Sequence, residues 1–97
     1  MKQPNATPPG SSLEQVYLIE RDAGLLCRIL GLYASRGLDV LRADYAYAAQ
    51  DVMTLKVSVA DEPGDIAEVL RVLVDKVASF VGVLAAAEQP AAIRRAA

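Results

Sequence analysis

The chain has 97 residues, a formal net charge of −2 and 54% hydrophobic residues, with one cysteine and no histidine. This length supports one domain with one modest core, and the interspersed charges lack the basic footprint that nucleic acid or an anionic membrane would require. The missing histidines exclude Ser-His-Asp and Cys-His catalysis and the commonest metal ligand, and the single Cys27 excludes an internal disulfide and an all-cysteine metal site.

Residues 1–12 carry Pro4, Pro8, Pro9 and Gly10 among Asn, Thr and Ser, which reads as a disordered lead-in. It has no apolar leader segment, and no apolar run in the chain approaches a membrane span, so a cytoplasmic location is expected. The folded domain is expected over residues 13–87. Residues 14–21 predict a strand, with Val16 and Leu18 on one face and Tyr17 and Ile19 on the other.

Residues 23–36 predict a helix. Leu25, Leu26, Ile29, Leu32 and Tyr33 recur at helical spacing, and Gly37 suits a left-handed stop. Cys27 falls inside this helix and is expected as a small core residue. Gly31 costs a helix interior roughly 1 kcal/mol against Ala, which predicts close packing against the sheet or a partner helix. Arg28 and Arg36 lie on one side of the helix and are expected on a solvated face.

Residues 38–48 predict a strand, joined by a short hairpin at Gln50-Asp51 to a strand over 52–60. In the latter, Met53, Leu55, Val57 and Val59 alternate with Thr54, Lys56 and Ser58, the pattern of a strand buried on one face. Asp61-Glu62-Pro63-Gly64-Asp65 punctuates the chain. Residues 63–77 predict a second helix with Ile66, Val69, Leu70, Leu73 and Val77 on its apolar stripe. A last strand is expected over 79–86 around Val81 and Val83, followed by a flexible tail over 88–97.

The order β-α-β-β-α-β gives an α+β, ferredoxin-like sandwich: a four-stranded antiparallel sheet with two helices on one face. The other sheet face, the edge strands, and Tyr45 and Tyr47 on the second strand then predict self-association. The fold hosts many activities, so particular residues must decide among them. The third strand lacks the aromatics of an RNA-binding strand, and the first loop lacks the Cys-x-x-Cys of a copper chaperone. No side chains converge as acid, base and nucleophile. Asp22, Asp39, Asp44 and Asp51 read as turn, edge and surface residues, so no catalytic set, metal site or cofactor is expected.

The best candidate ligand site is the turn Arg21-Asp22-Ala23-Gly24-Leu25-Leu26. It opens the first helix, whose unpaired N–H groups and partial positive charge suit a small carboxylate. Three functions compete: a regulatory binding module, a stand-alone homodimeric interaction module with no ligand, and a small enzyme on this fold.

From about Gln15 to Ala85, and most strongly from Leu18 to Val40, the sequence resembles an ACT domain, and more narrowly the small regulatory subunit of acetolactate (acetohydroxyacid) synthase, short single-domain type. Asp22, Gly24, Arg28, Gly31, Leu32, Tyr33, Arg36 and Gly37 fall in register with that pattern. The resemblance implies a non-catalytic subunit of branched-chain amino acid biosynthesis. Such a subunit associates with a large thiamine-diphosphate-dependent catalytic subunit and pairs with itself through edge strands and helices. The resemblance also implies a valine-like amino-acid effector at the dimer seam, held by Arg21 to Leu26 and by Asp39. Members that bind valine carry Asn where this chain has Arg21 and Asp39. Arg21 can still donate to a carboxylate and Asp39 can still accept from an ammonium, or the two can pair across the seam and close the pocket.

Overall fold

Alternation along one strand sets the two layers of this fold. The computed structural model describes residues 12–61 and 66–89. Its elements are β1 (Ser12–Glu20), α1 (Ala23–Ser35), β2 (Val40–Ala49), β3 (Val52–Ala60), α2 (Ala67–Ala78) and β4 (Val83–Gln89). On β3, Met53, Leu55, Val57 and Val59 are buried while Lys56 is exposed. Residues directly opposite one another across a ladder share a face. Gln15, Tyr17 and Ile19 of β1 therefore join the buried layer, beside Val57, Leu55 and Met53.

The sheet is antiparallel, in the order β2-β3-β1-β4, with both helices over the face that β3 buries. This is the ferredoxin-like sandwich that the element order predicts. The expected lead-in over 1–11, residues 62–65 and the tail from 90 onward lie outside the described residues. β1 already includes Ser12, and β4 continues through Glu88 and Gln89.

α1 buries Leu25, Ile29 and Tyr33, with Leu26 and Leu32 half-buried beside them. It ends where Gly37 takes φ +67, and Gly37 N–H donates to the Ala34 carbonyl at 3.0 Å. Cys27, expected in the core, is exposed. Two residues past Leu25 it stands about 200° around the helix, which is the outward side. Among the described residues, nothing outside its own helix turn lies within 4 Å of where a Gly31 Cβ would be, so the sheet does not demand it.

α2 buries Leu70, Leu73, Val74 and Val77. Val74 takes the place expected for Val69, which is largely exposed, because Val74 lies one turn below Leu70. The last strand starts later than expected. Gly82 takes φ +98, which breaks extended backbone, so Val81 falls in the preceding turn and is 90% exposed.

One polar chain crosses the core. The Tyr33 hydroxyl donates to Gln15 Oε1 at 2.8 Å, and the Tyr17 and Tyr33 hydroxyls meet at 2.6 Å. All three residues are fully buried, and Gln15 Nε2 has no hydrogen-bond partner among the described residues. Burial pushes the Tyr17 phenol up to about 12 and that of Tyr33 higher still.

β2 joins this packing only through Tyr45. Nine of its ten residues are exposed and Tyr45 is half-buried. Its register places Tyr45 and Tyr47 opposite Leu55 and Met53, on the helix side but beyond the helices' cover, with Tyr47 63% exposed.

Candidate functional site

The residues expected to hold a ligand lie where β1 runs into α1. Arg21 is a bend, and Asp22 is the extended residue that caps the helix, with φ −155 and ψ 111. The Gly24 N–H donates to Asp22 Oδ1 at 2.9 Å, and the Leu25 N–H donates to the same oxygen at 3.4 Å. The Leu26 N–H donates to the Asp22 carbonyl at 3.0 Å, the first helical bond. Two of the donors that recommended this turn as an anion seat, the Gly24 and Leu25 N–H groups, are thus already bonded to the chain's own carboxylate.

Two other segments wall the turn. On one side stands the β2–β3 hairpin, where Asp51 takes the left-handed φ of 56. Arg21 Nη2 lies 3.0 Å from Asp51 Oδ1, and Arg21 N–H donates to the Asp51 carbonyl at 2.9 Å. Both side chains are well exposed, at 60% and 70%, so the guanidinium remains open to solvent. On the other side stands the α2–β4 turn. The Glu20 N–H donates to the Gly82 carbonyl at 2.8 Å, and a Cβ on Gly82 would stand 2.9 Å from Leu25 Cδ2.

The structure therefore brings Arg21, Asp22, Ala23, Gly24, Leu25 and Leu26 into one turn. Ala23 and Gly24 are exposed, Leu26 is half-buried and Leu25 belongs to the core. It does not bring Asp39 there within one chain. The Asp39 carbonyl accepts from Ala60 N–H at the opposite end of β3, a strand length of about 27 Å from the hairpin. Arg28 is not simply solvated, since its guanidinium lies 4.7 Å from the centre of the Phe80 ring.

Sequence reading missed Asp51 and Gly82. The first is joined to Arg21 by topology across thirty positions, which local pattern does not reveal. The second carried a signal, a glycine between two valines, that looked like strand interior.

Among the described residues, no group of three or more His, Cys, Asp or Glu side chains could hold a metal ion, and no helix is long and apolar enough to cross a membrane.

No protein-family model matches the sequence, and no curated protein matches it. Solved structures do match in shape. The C-terminal domain of the MgtC protein from Mycobacterium tuberculosis aligns over 94% of this chain and 99% of its own, at 20% identity and a TM-score of 0.73. The ligand-free regulatory subunit of aspartate kinase from Thermus thermophilus aligns over 84% of this chain and 52% of its own, at 16% identity and 0.69. The ACT domain of GTP pyrophosphokinase from Chlorobium tepidum aligns over 81% of this chain and 97% of its own, at 15% identity and 0.63. The chain has the ACT fold.

Proposed function

We propose that this ACT-fold chain is a non-catalytic regulatory module that works as a homodimer and receives a small amino acid beside its β1–α1 turn. The observation that carries the reading is the placing of Arg21, a solvent-open guanidinium at the mouth of a glycine-containing helix start. Arg21 offers two parallel donors to a carboxylate. Antiparallel pairing along the exposed β2 edge would carry Asp39 of a second copy toward the hairpin end of the first, where an acceptor for an ammonium is wanted.

The resemblance over Leu18 to Val40 supplies the finer reading. The regulated enzyme is a thiamine-diphosphate-dependent acetolactate synthase, and the effector is valine or a related branched-chain amino acid. A second reading, the homodimeric module with no ligand, is favoured by the Asp22 carboxylate, which occupies the Gly24 and Leu25 N–H groups.

Calorimetry with valine, leucine and isoleucine on the wild type and Arg21→Ala separates the two. Binding that Arg21→Ala abolishes supports the effector reading. Silence at millimolar ligand leaves the interaction module. Co-purification with a large acetolactate synthase subunit, together with a change in its turnover when this chain is added, tests the enzyme partner. Turnover by the isolated chain would overturn both readings.

A further inference from the structure

The β2 edge carries charges in an order that selects one way of pairing with itself. On the sheet face away from the helices, Arg42 and Asp44 stand two residues apart on β2, and Lys56 of β3 lies directly opposite Asp44. Arg42 Nε lies 2.8 Å from Asp44 Oδ2, and both side chains are largely exposed. The β2–β3 register shifts between Val40 and Arg42 and again between Tyr47 and Ala49, so residues 42–47 form the regular part of the edge. In a two-fold antiparallel pair that continues a sheet, some residue must face its own copy, because opposite residues share a face.

We propose that a second copy of this chain pairs antiparallel along β2 with Ala43 on the two-fold axis, so that Arg42 of each copy faces Asp44 of the other. This rests on the homodimer reading above and adds its register. Centring on Arg42 or Asp44 would set like charges opposite each other. Centring on Tyr45 would leave Arg42 facing Ala48 and Asp44 facing Ala46. With Ala43 at the centre, each Asp44 stands between Lys56 of its own chain and Arg42 of the second copy. The Arg42–Asp44 contact within each copy is thereby exchanged for one across the seam, two in the dimer.

The test uses full-length chains and sedimentation equilibrium. Wild type is expected to dimerise. Arg42→Asp places two carboxylates opposite each other, and Asp44→Arg places two guanidiniums opposite each other. Each alone is expected to weaken self-association by about tenfold or more. An equimolar mixture of the two variants is expected to form heterodimers as tightly as wild type, since opposite signs again face each other. Both positions are exposed, and circular dichroism checks that the variants stay folded. A dimeric wild type with undiminished single variants overturns this register and leaves the homodimer standing. Weakened variants that fail to rescue each other also overturn it. A monomeric wild type overturns both the register and the homodimer.

Discussion

The hydroxyls of Tyr17 and Tyr33 meet at 2.6 Å inside the core and tie β1 to α1. Tyr33 spends its proton on Gln15 Oε1, so Tyr17 is the donor between the two tyrosines. This direction makes the two phenylalanine variants unequal. Tyr33→Phe strands a buried donor on Tyr17 and a buried acceptor on Gln15, and is expected to cost about 2–4 kcal/mol. Tyr17→Phe leaves Tyr33 its acceptor and removes one bond, at about 1 kcal/mol. Urea unfolding of both variants checks the order, and equal losses would contradict the direction of the chain.

The same pair sets an alkaline limit. Burial opposes ionisation, raising Tyr17 from 10.0 to about 12 and Tyr33 further. A group whose folded value lies above its unfolded value contributes its full stability below the unfolded value and loses it as pH rises toward the folded one. Stability should therefore be unaffected by these two residues below pH 10 and fall between 10 and about 12. The urea midpoint followed across that range, alongside tyrosinate absorbance, should show the two buried phenols ionising as the chain unfolds. Ionisation of all four tyrosines in a folded chain would refute it.

Asp22 both starts α1 and fills two of its donors, so Asp22→Ala is expected to have two effects of opposite sign. Loss of the cap should destabilise the fold by about 1 kcal/mol. A valine carboxylate would no longer compete with an internal one for the Gly24 and Leu25 N–H groups. On the effector reading, its affinity should rise about fivefold, the worth of the displaced cap. Calorimetry on the variant decides, and weaker binding would instead make Asp22 a ligand contact.

Gly82 holds the α2–β4 turn against the helix start. Gly82→Ala combines a left-handed φ of +98 with a 2.9 Å approach to Leu25 Cδ2. It should cost about 1–3 kcal/mol. Leu25→Ala removes the obstructing methyl, so the double variant should be less destabilised than the sum of the singles. Strict additivity in chemical denaturation would mean that the strain lies in the backbone alone.

The parts of this fold that could be read from sequence are those whose burial has a period. β3 alternates residue by residue, and its bounds were legible to the residue. α1 repeats its apolar residues every turn and closes on a glycine. The misreadings arose where type outweighed angle: Cys27 is apolar enough for a core but faces outward, and Val81 is a strand former stranded by the φ of Gly82. At the candidate site, residues 21–26 were legible as one turn because they are contiguous. Their partners were not. Asp51 reaches Arg21 through the sheet order, and Asp39 ends a strand length away because α1 returns the chain to the far end of the sheet.

Gly31 separates the demands of folding from those of assembly. None of the described residues beyond its own helix turn approaches its missing side chain, so Gly31→Ala should stabilise the isolated fold by up to about 1 kcal/mol through helix propensity. A glycine kept at that cost on an outward helix face, in line with the exposed Cys27 one turn earlier, fits a helix of another chain that approaches closely. Gly31→Leu should then leave the monomer folded and weaken self-association. The two effects are read separately, by thermal unfolding at low concentration and by sedimentation at high concentration. A destabilised Gly31→Ala monomer would show that the glycine serves the fold itself. A Gly31→Leu chain that associates as well as wild type would leave α1 outside the interface and confine assembly to β2.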